Sequence, residues 1–224
     1  RRASDQAVEV FRGDVKDVSA SPRVLRDGDG HQVVLLERAT DFFHSQFSLL
    51  TDKGPKRLRL PERVSIYGLL RGNLIYKVEE AWNPRASGLP AYKPGSLLAS
   101  PVTDLTPVNE GGTISNQVNL IFEPGDRQSV DEVEVTDGRV VTTVYDNVRG
   151  KVFAFRNKGE WGWEQVELPG IANAAVHLVD ASDEDNQVFY TVEGFITPTA
   201  LKLADAATGK AETVRTLPAR FDAS

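Results

Sequence analysis

The chain has 224 residues, 40% hydrophobic and 26% charged, with no Cys, no Met and a formal net charge of −6. The missing cysteine excludes disulfide frameworks, thiol nucleophiles, zinc–thiolate sites and iron–sulfur clusters, and leaves the compartment, cytoplasmic or periplasmic, open. The acidic balance argues against a nucleic-acid partner, and no run reaches the length of a membrane span, so neither nucleic acid nor membrane is expected as a partner.

Read in chain order, the apolar residues fall in short runs of the β-branched and aromatic kind that favours strands. Val8-Glu9-Val10-Phe11-Arg12 stops at Gly13; Asp27-Gly28-Asp29-Gly30 marks a turn, and Val33-Val34-Leu35-Leu36 follows it. Arg57-Leu58-Arg59-Leu60 ends on Pro61, Gly72-Asn73 reads as a turn, and Asn83 to Pro94 as a Pro/Gly-rich loop. Asn119-Leu120-Ile121-Phe122-Glu123 ends on Pro124, Asp137-Gly138 turns, and Val140 to Tyr145 is a strand. Gln165-Val166-Glu167-Leu168 ends on Pro169, the polar turn Asp183 to Asn186 precedes the strand Gln187 to Val192, and Thr213-Val214-Arg215-Thr216-Leu217 ends on Pro218. No stretch carries a sustained 3.6-residue period. The chain is expected to be all-β.

The strand that ends on proline is a repeat. Counted from Gly13, which stands in the proline's place, it returns after 48, 63, 45 and 49 residues, and the long interval holds the Asn83–Pro94 loop. Four strands in about 45–50 residues is the size of a β-propeller blade. A proline ending the outermost strand fits, because that edge donates no ladder hydrogen bond. The expectation is a β-propeller of about four four-stranded blades, over about 14–61, 62–124, 125–169 and 170–218, preceded by one leftover strand. A start at Arg1-Arg2 without Met suggests a piece of a longer polypeptide, and an arc of a larger ring suits the ends better than a closed four-bladed ring.

Some phrases are more specific than the period. Asp146-Asn147-Val148-Arg149-Gly150, Glu193-Gly194-Phe195-Ile196-Thr197-Pro198-Thr199, and Leu201-Lys202-Leu203-Ala204-Asp205 with its turn Ala207-Thr208-Gly209-Lys210 come in order. With Gly95-Ser96-Leu97-Leu98-Ala99 and Leu120 to Pro124, the chain resembles the propeller domain of bacterial prolyl oligopeptidase family serine peptidases. The resemblance implies the later blades of a seven-bladed ring over an α/β-hydrolase domain, with residues 219–224 opening the linker to it. It also implies that the Ser, Asp and His of the triad lie outside this chain, so no catalytic residue is expected here. The propeller would filter short peptides toward the catalytic domain, with no cofactor. A stand-alone propeller scaffold binding a protein or peptide partner is the alternative.

Candidate sites in the residues themselves are few. Gly95-Ser96-Leu97 lacks the second glycine of a nucleophile elbow. His31, His44 and His177 stand apart in sequence, with no metal-ligand spacing, and no metal is expected. Asp27 to Gly30 superficially suggests a calcium loop, but Arg38 stands where that loop needs a carboxylate, so a hairpin turn is expected. Trp161-Gly162-Trp163, with Phe153 and Phe155, suits packing between blades better than a stacking platform. From the resemblance, Arg38 in the segment Glu37 to Phe43 is a candidate substrate-binding residue; a salt bridge to Glu37 or Asp41 is the ordinary alternative.

Overall fold

A computed structural model describes residues 8–84, 90–106, 117–159 and 162–219. Sixteen strands run through the described residues. The first eight are β1 (Ser19–Arg26), β2 (Gln32–Ala39), β3 (Ser45–Thr51), β4 (Gly54–Arg57), β5 (Val64–Leu70), β6 (Asn73–Val78), β7 (Leu97–Pro101) and β8 (Asn119–Phe122). The others are β9 (Gln128–Val135), β10 (Val140–Asp146), β11 (Arg149–Asn157), β12 (Trp163–Leu168), β13 (Ala175–Ala181), β14 (Gln187–Glu193), β15 (Ala200–Asp205) and β16 (Lys210–Thr216). They form four antiparallel sheets of four consecutive strands each, β1–β4, β5–β8, β9–β12 and β13–β16. The expected all-β propeller architecture is what the chain adopts.

Val8 to Gly13 departs from expectation: it forms no strand. A strand exists only through its ladder, and no neighbour among the described residues pairs with it. The turn expected at Gly72-Asn73 also sits one residue earlier. Leu70 pairs with Asn73, and the loop is Arg71-Gly72, with φ of 50° and 73°. Both central residues in the left-handed region is the turn whose twist suits a two-residue hairpin.

The first strands of successive sheets touch one another, β1 with β5, β5 with β9 and β9 with β13. They therefore line a common axis, and the fourth strands, each followed within four residues by a proline, form the rim. Between sheets lie three cores. Leu35, Phe47, Leu58 and Tyr76 fill the first, Ile75, Val140, Phe153 and Phe155 the second, and Val141, Leu168, Val176 and Tyr190 the third. The run Val140-Val141-Thr142-Thr143-Val144 is buried on both sides because its sheet is covered on both.

Three of the axial strands carry a β-bulge: β5 between Ile66 and Gly68, β9 between Val130 and Val133, and β13 between Leu178 and Asp180. A bulge interrupts the ladder, and each is met by a charged side chain of the preceding sheet. Arg23 donates to the Ile66 carbonyl at 3.0 Å, and Lys77 to the Val130 carbonyl at 3.2 Å. The Glu132 carboxylate accepts from the Leu178 N–H at 2.6 Å. Charge-assisted bonds are the stronger kind, so the bulges fasten each sheet to the next along the axis.

Candidate functional site

Because strands alternate in direction, the connections sort onto two faces. One face carries the turns from first to second and from third to fourth strand of each sheet. Among the described residues, polar turns on this face include Asp27–Gly30, Asp52-Lys53 and Ser182–Asn186. The opposite face carries the turns from second to third strand and the crossings between sheets. It holds Phe42 and Phe43, 87% and 77% exposed, Val148 at 83%, and Phe195 and Ile196 at 97% and 63%. Turn tips seldom spend large apolar side chains on water at equivalent places in three sheets without a partner.

On the polar face the four axial strands enclose a cleft of about 350 Å³ lined by Arg26, Asp27, Tyr67, Glu134, Thr136 and Asp183, among others. Burial, with the charges of Asp180 and Glu132 added, raises the Glu134 carboxyl above its ordinary value. Burial likewise raises the Tyr67 phenol, against the opposing pull of Lys77. Asp27 is fixed differently. Its side chain is 2% exposed and accepts from the Gly72 N–H at 2.7 Å, the His31 N–H at 2.9 Å and the His31 ring. Burial alone would raise this carboxyl; the Gly72 and His31 bonds outweigh it and hold it below the ordinary aspartate value. The Asp27–Gly30 segment is a hairpin turn, and its aspartate also pins the first sheet to the β5–β6 turn of the second. Asn186 makes the corresponding link between the third and fourth sheets, accepting from Thr136 Oγ1 at 3.0 Å and the Gly138 N–H at 3.1 Å.

Arg38 lies at the end of β2 on the apolar-tipped face. Its Nε bonds Asp17 Oδ2 at 2.5 Å, and the Asp17 side chain is 5% exposed. Neither Glu37 nor Asp41 is its partner: Glu37 accepts from Ser45 Oγ at 3.0 Å, and Asp41 holds the His44 ring at 2.7 Å. Those two carboxylates are spent on the β2–β3 turn, so the arginine turns to a residue 21 positions earlier.

Ser96 is fully buried, and among the described residues its hydroxyl has no hydrogen-bond partner, so none of them is placed as a base to activate it. Phe153 and Phe155 sit in the second core with Phe122 and Trp163 beside them; Trp161 lies outside the described residues, as do residues 220–224. Each histidine sits beside a carboxylate. His31 faces Asp27 at 3.0 Å, His44 faces Asp41 at 2.7 Å, and His177 faces Glu132 at 3.4 Å. With Asp131, the last pair makes the one group among the described residues whose spacing suits a metal ion. The pair is 45 residues apart and joined only by the fold.

No protein-family model matches the chain. It is 35% identical to a peptidase of Sinorhizobium fredii over 98% of its own length and 30% of that relative's. It is 22% identical to a peptidase of Rickettsia prowazekii over 82% of its length and 25% of that relative's. Among solved structures, a post-proline cleaving enzyme from Rickettsia typhi superposes with a TM-score of 0.79 at 21% identity, over 98% of this chain and 31% of that one. Oligopeptidase B from Trypanosoma brucei superposes with a TM-score of 0.60 at 16% identity, over 91% of this chain and 28% of that one. Both sequence relatives are peptidases, and the fold is shared with solved prolyl endopeptidase and oligopeptidase structures. The chain spans about 30% of the S. fredii relative's length and matches the propeller portion of the solved prolyl oligopeptidase structures.

Proposed function

We propose that this chain is the non-catalytic propeller segment of a serine oligopeptidase, filtering short peptides toward an α/β-hydrolase domain that carries Ser, His and Asp. The observation that carries the reading is the match of nearly the whole chain to three tenths of a peptidase. The blade units are 14–61, 62–124, 125–169 and 170–218, and 219–224 lead onward to the catalytic domain.

One series of residues supports a larger ring. The apolar residue before each rim proline packs into the core between its own sheet and the next: Leu60 in the first, Phe122 in the second and Leu168 in the third. The fourth member, Leu217, is 48% exposed, with Val214 beside it 51% exposed. These side chains await a further blade, and seven blades is the ring the resemblance implies. The apolar tips Phe42, Phe43, Phe195 and Ile196 face the catalytic domain in this reading. Arg38 lies on that same face, and its Nε bond to Asp17 leaves the Nη amines to meet a peptide carbonyl.

The test is length selectivity of the polypeptide that contains this segment. Turnover of proline-containing peptides should fall steeply once the substrate exceeds a few tens of residues. Phe43→Glu with Phe195→Glu should loosen the docked face and relax that limit. Equal cleavage of short peptides and folded proteins by the unsubstituted enzyme would overturn the filter. Arg38→Ala should raise KM for short peptides with kcat little changed, and Arg38→Lys should restore some of the loss; unchanged kinetics in both would remove Arg38 from the substrate site.

A further inference from the structure

The bulge in β9 does more than join sheets. Thr142 pairs with Val133 and Val144 with Val130, which leaves Asp131 and Glu132 together opposite Thr143. In a regular strand two successive side chains point to opposite faces; a bulge lets both lean to the same side. The Glu132 N–H donates to Thr143 Oγ1 at 3.0 Å, and Thr142 Oγ1 donates to the Glu132 carbonyl at 2.7 Å, so the irregular backbone is held. His177, on β13, stands beside them. One ligand atom from each of the three residues lies within 4.8 Å of the other two.

The charges at this point are not balanced. Asp131 makes no hydrogen bond or ion pair among the described residues, and the His177 ring meets Glu132 only at 3.4 Å. The nearby cation Lys77 is turned to Glu79 at 3.2 Å and to the Val130 carbonyl. The Leu178 N–H occupies Glu132 Oε2 and leaves Oε1 toward the histidine. A backbone donor on the outer oxygen of a ligating carboxylate is the kind of support that orients a metal ligand.

We infer that Asp131, Glu132 and His177 form a site for one divalent transition-metal ion, zinc above all, clipping the third sheet to the fourth at the ring axis. Two carboxylates with one imidazole suit zinc and its neighbours rather than calcium or magnesium, which take oxygen ligands alone. Metal–ligand bonds near 2.1 Å set tetrahedral ligands about 3.4 Å apart. Every spacing here closes by at most about 1.4 Å on that scale, within reach of side-chain rotation. Water fills the remaining positions.

The experiment is calorimetric titration of zinc chloride into the metal-free chain, with magnesium chloride as comparator. One saturable zinc site per chain is expected, without a magnesium counterpart. His177→Ala and Asp131→Asn should each weaken zinc binding at least about tenfold, while His31→Ala leaves it unchanged. Asp131→Asn replaces an exposed, unpaired carboxylate, so the fold should survive, as far-ultraviolet circular dichroism would verify. Cobalt(II) bound to the unsubstituted chain should show visible d–d absorption that both site variants lose. Absence of saturable zinc binding, zinc binding indifferent to both site variants, or equal affinity for magnesium would each overturn the site.

Discussion

Leu168 and Leu217 occupy equivalent places in the repeat but different environments, and truncating each to alanine measures what a neighbouring blade is worth. Leu168 is 2% exposed in the core between the third and fourth sheets. Leu168→Ala therefore forfeits the whole transfer term and leaves a cavity, about 2–5 kcal/mol together. Leu217 is 48% exposed. It retains roughly half of a transfer term of about 1.5–3 kcal/mol and encloses no cavity, so Leu217→Ala should cost about 0.8–1.5 kcal/mol. Urea unfolding of the 224-residue chain, followed by tryptophan fluorescence, gives both values from the midpoint shift. Repeating the pair in the longer polypeptide should lift the Leu217→Ala cost into the Leu168 range, because the proposed further blade would then cover it. Equal costs in the 224-residue chain, or a Leu217→Ala cost that stays small in the longer polypeptide, would refute the reasoning.

Asp27→Ala removes bonds from Gly72 and His31 to a carboxylate 2% exposed, and should destabilise the chain by about 1.5–3 kcal/mol in the same assay. The Asp27 carboxyl is held below its ordinary value in the folded chain. Its stabilisation is therefore fully present above the unfolded aspartate value and fades as pH falls through the lower folded one. The Asp27→Ala variant should lose that acid-side component of the pH dependence; an unchanged acid profile would contradict the assignment. At Gly150, an added Cβ would stand 2.5 Å from Val176 Cγ2 and 3.1 Å from the Val176 backbone nitrogen. Gly150→Ala should then cost about 1–3 kcal/mol by overpacking, and a neutral thermal melt would show that the third and fourth sheets can move apart there freely. Ser96→Ala removes a buried hydroxyl without a partner among the described residues and should leave stability unchanged or raise it by about 1 kcal/mol; a loss above about 1 kcal/mol in the melt would mean the hydroxyl is bonded after all.

Much of the blade architecture was legible because it is local. Strand runs such as Val140 to Tyr145 and Gln187 to Val192 carry their own signal, and the rim prolines repeat at blade spacing. What escaped is what the bulges and the axis bring together. Bulges in β5, β9 and β13 leave no signature in residue type, so nothing in the chain order sets Asp131 and Glu132 on one side or His177 beside them. Arg38 found Asp17 rather than its neighbours because Glu37 and Asp41 were already occupied by the turn they cap. Val8 to Gly13 has strand composition without a partner among the described residues, and composition alone does not make a ladder. Asp27 reads as ordinary turn chemistry, although its carboxylate crosses to the next sheet, a role that depends on tertiary placement.

The central claim is that this segment shapes access to a serine peptidase whose chemistry lies elsewhere in the polypeptide. Its most direct test is to expose the purified 224-residue chain and the longer polypeptide, side by side, to a fluorophosphonate probe and a short proline-containing peptide. Labelling and turnover are expected from the longer polypeptide, and neither from the 224-residue chain. Probe-sensitive peptide hydrolysis by the 224-residue chain, or a longer polypeptide that neither labels nor cleaves, would contradict the claim.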